Sequence, residues 1–277
     1  MQTNEYRISI KLSFYEGWWL GILYYKDEYV KLIHGDCLEI MKKIPDGKID
    51  MILCDLPYGI TACKWDTVIP FEPLWEQYKR VIKDNGAIIL FGSQPFTSIL
   101  ISSNLKGYKY NWVWEKSKAS NFIQVKNQPL KNFEDICVFT KNGEKANYYP
   151  QMTEGKPYKP TAGKKTTEVY NNIPNHMFRN GSDGKRYPKS IQYFKTSQYE
   201  GKVNHPTQKP VALFEYLIKT YTNEGDLVLD NCVGSGTTLV ACQNLNRRGL
   251  GIELEEKYCI VSKDRLTDNY NNNINKQ

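Results

Sequence analysis

The sequence is poor in the residues on which several large classes of chemistry depend. Only three histidines, His34, His176 and His205, occur in 277 residues, so imidazole-based acid/base chemistry has little to work with. No CxxC pair is present, and no metal centre is expected. No proline is followed directly by a cysteine, which leaves a cysteine nucleophile without support. The seven cysteines are odd in number and sit mostly inside apolar runs, the usage of reduced thiols in a cytoplasmic protein. No basic stretch followed by an unbroken apolar one opens the chain, and no apolar run reaches the roughly 18 residues of a membrane helix. The expectation is a soluble protein with 40% apolar residues to bury, as one large or two small domains.

What is abundant is unevenly placed. Residues 100 to 210 hold 19 Lys/Arg against 8 Asp/Glu, a net of +11 in a chain whose total is +7, so the rest is acidic overall. The same segment is crowded with rings, among them Tyr110, Trp112, Trp114, Tyr148, Tyr158 and Tyr187. Basic charge interleaved with flat rings suits a surface that follows phosphates and stacks bases. A solvated lysine-rich face over an aromatic core has the same composition.

The hydrophobic pattern is that of an α/β protein. Runs at 30–34, 49–54 and 87–91 read as buried strands, and 71–83 carries Leu74, Tyr78, Val81 and Ile82 at helical spacing. Strand, helix and strand at this spacing form a βαβ pattern. Strands are predicted at 112–115 and 136–140, flanking a polar loop at 116–132. Residues 141–204 show no period and predict a loop-built region. Helices follow at 211–222, 237–245 and 255–266, with strands at 227–229 and 249–252. Alternation from Ile8 to Phe14, then an apolar stretch at 18–25, predicts an N-terminal hairpin.

Two strand ends carry chemistry. After the run at 49–54 comes Asp55-Leu56-Pro57-Tyr58-Gly59. A carboxylate beside a planar ring can accept from an amino group and stack the flat body that carries it; a plain Pro/Gly strand exit is the other reading. The second is the turn from Asp230 through Asn231-Cys232-Val233 to Gly234-Ser235-Gly236-Thr237-Thr238. Its glycines let backbone amides approach a ligand, and the helix start favours an anionic group. The next strand ends in Glu253, placed to bind a ribose diol. This is a nucleoside-binding unit and not a dinucleotide fingerprint, because Leu239 stands where a third glycine belongs.

The tetrapeptide Asp55-Leu56-Pro57-Tyr58, the hexapeptide His205-Pro206-Thr207-Gln208-Lys209-Pro210 and the 230–238 turn, in this order, resemble the β-class DNA amino-methyltransferases that use S-adenosylmethionine. The resemblance runs from about residue 30 to 266. It implies an α/β fold with a doubly wound, mostly parallel, seven-stranded Rossmann-like sheet, circularly permuted so that the cofactor half follows the catalytic half. The implied division is 1–29 an N-terminal extension, 30–140 the catalytic half, 141–204 the target-recognition region, 205–268 the cofactor-binding half and 269–277 a frayed tail.

The resemblance also implies site roles. Gly234 and Gly236, with Asp230, Thr237 and Thr238 in the same turn, would face the methionine part of the cofactor, and Glu253 its ribose. Asp36 would accept from the cofactor's adenine amine, unless it merely caps the helix that follows. Thr207 and Lys209 would lie near the methionine carboxylate. Asp55 and the carbonyl of Leu56 would accept the two hydrogens of an exocyclic amine, with Pro57 shaping the turn and Tyr58 stacking on the base. Gln94, Lys116 and Asn121 are further candidates for the base pocket. The family pattern has two prolines after the acid; Leu56 departs from it, which a backbone carbonyl tolerates.

An acid at the head of the tetrapeptide resembles the adenine-N6 members, whereas serine is typical of the cytosine-N4 members. The expected activity is therefore methyl transfer to N6 of a flipped adenine in DNA. A cytosine-N4 enzyme, a non-catalytic nucleic-acid-binding module and an RNA or protein methyltransferase are the alternatives. DNA is the expected partner; a homodimer and a cognate restriction nuclease are further partners to test, and no membrane is expected.

Overall fold

The computed structural model describes residues 21–61, 63, 66–159, 181–200, 203 and 208–275. The alternation at 8–14 and Thr207 lie outside them. Strands β1 (Ile22–Lys26), β2 (Val30–His34), β3 (Ile49–Cys54), β4 (Ile82–Gly92), β5 (Tyr108–Ser120) and β6 (Lys131–Phe139) precede a two-stranded ribbon, β7 (Thr153–Glu154) with β8 (Lys185–Arg186). Then come β9 (Ile191–Phe194), β10 (Leu227–Asp230) and β11 (Arg248–Glu253). Apart from the ribbon they form one nine-stranded sheet in the order β1-β2-β11-β10-β3-β4-β6-β5-β9. From β2 to β4 every pairing is parallel. Every residue of β3 is buried, as a central parallel strand covered on both faces requires.

Helices cover the two faces separately. On one side α1 (Cys37–Met41), α2 (Phe71–Val81) and α3 (Phe96–Ser103) pack on Ile33, Ile52, Ile88 and Leu90. On the other α4 (Val211–Tyr221), α5 (Thr237–Asn244) and α6 (Glu256–Ile274) pack on Leu32, Leu53, Ile89 and Val228. The alternation of side chains along each strand sends successive residues to opposite cores. Leu74, Trp75, Tyr78 and Val81 put the apolar stripe of α2 inside, and Tyr78→Ala should cost about 3–5 kcal/mol.

The doubly wound sheet is present, with differences in extent. Nine strands replace the implied seven, because β1 adds a hairpin to β2 and β9 pairs parallel with β5 at the other edge. The hairpin turns at Asp27, whose Oδ1 accepts from the amides of Tyr29 and Val30, both at 2.7 Å. β5 and β6 run into the expected polar loop as far as the Ser120–Lys131 pair. The tail expected to fray from residue 269 is helical to Ile274, held by Asn269 on Gln243 Oε1 (2.9 Å) and Asn273 on Asn244 Oδ1 (3.1 Å). Among the described residues no helix is long and apolar enough to cross a membrane.

Candidate active site

β3 and β10 are neighbours, yet the chain leaves β3 for β4 on one side and β10 for β11 on the other. In an open sheet such a reversal opens a crevice beyond the carboxyl ends of the strands, where ligands bind. Here it is a cavity of about 1010 Å³. Its walls bring together Asp36, Asp55, Leu56, Pro57, Tyr58, Gln94, Lys116, Asn121, Lys209, Asp230, Gly234, Thr237, Thr238 and Glu253. Of the described candidates only Gly236 is not on the wall. Its φ of +84° starts α5, and a Cβ there would meet Ser262 at 3.2 Å, so it serves backbone shape and close packing.

Asp55 leaves β3 between two partners. Tyr58 Oη donates to Asp55 Oδ1 at 2.7 Å, and Lys209 Nζ donates to Oδ2 at 2.5 Å. Lys209 also lies 3.2 Å from Glu134 Oε2, and Lys116 is ion-paired to Glu134 Oε1. Two acids and two lysines thus form one largely buried, charge-balanced chain. Burial pushes the Asp55 carboxyl above the ordinary carboxylate range, and the Lys209 ammonium opposes that rise. Burial acts on Glu134 in the same direction, but Lys209 and Lys116 together overcome it and hold Glu134 low. Lys209, expected near a methionine carboxylate, is here the counter-ion of both acids. Tyr58 stacks on Phe96, with ring centroids 4.8 Å apart.

The second half of the cavity presents donors and acceptors at the ends of β10, β11 and β2. Glu253 accepts from the amides of Gly234 (2.7 Å) and Glu255 (2.8 Å), and burial pushes its carboxyl up to about 7. Asp230 accepts from the Cys232 amide at 3.0 Å and from the Thr238 hydroxyl; burial raises it to about 6. Thr237 Oγ1 donates to the Lys209 carbonyl at 3.2 Å, which ties the lysine's segment to α5. Asp36 caps α1, its Oδ1 accepting from the Leu38 amide at 2.7 Å, and still faces the cavity. α6 clamps the glycine turn from behind: Ser262 Oγ donates to the Gly234 carbonyl and Arg265 Nη1 to the Ser235 carbonyl, both at 2.7 Å. A ligand carrying a diol and an amine meets the acceptors Glu253, Asp230 and Asp36 along this wall, which fits the adenosyl part of S-adenosylmethionine.

Three contributors escaped the sequence reading. Glu134 falls between the predicted polar loop and the strand at 136–140, and gains its place only when β6 is laid antiparallel beside β4. Asp66 accepts from the amides of Gly59 (2.8 Å), Ile60 (3.0 Å) and Thr61 (2.7 Å), fixing the loop that follows the tetrapeptide. Phe96 heads α3, a helix with no clear polar face to announce it. The only cue for Asp66 is its position shortly after Gly59.

Residues 49–264 match the family profile described as DNA methylase, the N6/N4 methyltransferases. The chain belongs to this family. It is an S-adenosylmethionine-dependent DNA methyltransferase. Among the curated relatives, it is similar to the type II methyltransferase M2.DpnII of Streptococcus pneumoniae, 29% identical across 96% of this chain and 97% of the relative. It is 30% identical to the DNA adenine methyltransferase YhdJ of Escherichia coli (strain K12), across 87% of this chain and 83% of that one. A crystal structure of the M1.HpyAVI–SAM complex superposes with a TM-score of 0.58 at 26% identity, covering 86% of this chain and 98% of that one.

Proposed function

We propose that the methyl acceptor of this DNA methyltransferase is N6 of an adenine turned out of the duplex, held by Asp55, the Leu56 carbonyl and Tyr58. The observation that carries the reading is the carboxylate of Asp55 at the end of β3, beside the Tyr58 ring and on the cavity wall. The adenine specificity in the printed name of YhdJ supports it. When bound, S-adenosylmethionine supplies a methyl group activated by its sulfonium.

An exocyclic amine is a weak nucleophile because its lone pair is delocalised into the ring. Asp55 and the Leu56 carbonyl each accept one amine hydrogen and draw the nitrogen toward a tetrahedral shape, aiming the lone pair. Tyr58 Oη and Lys209 Nζ each take one Asp55 oxygen, and the lone pairs that remain on the carboxylate accept from the amine. After transfer, one proton leaves N6 along its hydrogen bond to Asp55. Lys209 limits the rise that burial imposes on that carboxyl, and Lys209 and Lys116 together hold Glu134 low. Glu253, Asp36 and the Gly234 turn hold the cofactor on the facing wall. The basic segment from 100 to 210 follows the DNA phosphates. The type II names of relatives support a cognate restriction nuclease as a functional partner.

The test is Asp55→Ala. Methyl transfer to DNA should fall by at least about 10³, while cofactor affinity measured by calorimetry stays within about threefold. Retained transfer removes Asp55 from the mechanism.

A further inference from the structure

The β5–β6 hairpin ends in ten residues, 121–130, that stand on the rim of the cavity: Asn121, Phe122 and Gln128 line it. Its head is apolar and unburied. Ile123 is 94% exposed and Phe122 56%, with Val125 beside them. This is not a floppy loop: Asn121 takes a left-handed conformation (φ 70°), Phe122–Gln124 form a 3₁₀ turn, and Asn127 and Gln128 donate backbone bonds to the Gln124 carbonyl at 2.8 and 3.0 Å. From Lys116 to Phe133 the chain carries four lysines and no acid. Lys118 and Lys126 are exposed, on the hairpin arm and at its tip. A pre-folded apolar point flanked by positive charge, beside the pocket that receives a base, matches the physics of side chains that enter a DNA stack while lysines hold the phosphates.

We propose that Phe122 and Ile123 form a wedge that enters the base stack of duplex DNA at the target and fills the space vacated by the flipped base. The inference rests on the flipped-adenine reading and deepens it: the wedge offsets the unstacking penalty, and Asp55 and Tyr58 receive what it displaces. The occupant of the apolar tip is a base step of DNA, selected by the lysines around it. A self-association surface would not need the exposed Lys118 and Lys126 beside the tip.

The test uses the full chain and a Phe122→Ser/Ile123→Ser double variant. Because both side chains face solvent, melting temperature and cofactor affinity should match the wild type. The probe is a duplex bearing the site mapped from the wild-type product, with 2-aminopurine at the target adenine. Wild-type protein should raise the probe's fluorescence severalfold, and the variant should lose most of that rise. On the ordinary duplex kcat/KM should fall about tenfold to a hundredfold in the variant. On a duplex with an abasic site opposite the target, where unpairing is already done, the variant should come within about threefold of wild type. A variant that keeps the full rise and rate overturns the wedge. So does one that turns a dimer into a monomer while flipping normally. No rise with the wild type overturns the flipped-adenine reading itself, and the wedge with it; loss of transfer in Asp55→Ala with the rise intact separates the two.

Discussion

Lys209 Nζ lies 2.5 Å from Asp55 Oδ2 and 3.2 Å from Glu134 Oε2, so one ammonium joins the acid of the tetrapeptide to an acid on a different strand. Burial already lifts the Asp55 carboxyl, and Lys209 is what limits the rise. In Lys209→Met the Asp55 pKa goes further up. The ionised, active form is then lost at higher pH, and the acid limb of the kcat profile should move upward by about a unit or more. Cofactor Kd should change little. A raised Kd with an unmoved acid limb would instead place Lys209 on the methionine carboxylate.

Asp66 holds three consecutive amides of the loop after Tyr58. Burial pushes its carboxyl up, but those amides and the Thr61 hydroxyl overcome it and hold it below the usual range. A depressed folded pKa contributes stability above the ordinary carboxylate range and loses it as pH falls through the folded value. Asp66→Ala should therefore cost about 1–3 kcal/mol at pH 7, and the gap in Tm to wild type should close in acid. kcat should fall with it, since the loop positions Tyr58.

Glu253 titrates near 7 in the folded chain against 4.5 for a free side chain. Between these values the folded state keeps a proton that the unfolded state has released, so stability falls as pH rises through this window, on the order of 3 kcal/mol in all. Glu253→Gln should flatten the dependence of Tm on pH between 5 and 8. The same change should weaken cofactor binding about tenfold, because a ribose diol loses its charged acceptor.

The Asn231 amide lies 3.6 Å from Cys37 Sγ and 3.5 Å from Cys232 Sγ, on the cofactor wall. A hydrogen bond with Cys232 lowers the Cys37 thiol against the effect of burial, while Cys232 itself is raised. N-ethylmaleimide should modify Cys37 and the exposed Cys63 before the buried thiols. Saturating cofactor should protect Cys37 and leave Cys63 reactive, which peptide mapping by mass spectrometry reads directly.

The place of Asp55, Gly234 and Glu253 on the cavity wall was legible because each follows an apolar run at a strand end, where strand and turn are local. Lys209 was legible as a candidate but not in its partner, since its contact with Asp55 joins the segment before α4 to the end of β3, 154 residues away in the chain. Glu134 depended on the antiparallel entry of β6 beside β4, which no local period encodes. β9 was hidden because four residues that are half exposed and half partly buried carry little pattern, and they become a strand only by pairing Val113 with Ile191. The end of α6 looked like a polar tail, yet its asparagines find partners on α5 only once the helices are packed.

The most direct measurement is the identity of the product. Unmethylated DNA is incubated with the protein and S-adenosylmethionine labelled in the methyl group, digested to nucleosides and separated. Label in N6-methyladenine is the predicted result, and label in N4-methylcytosine alone would contradict it.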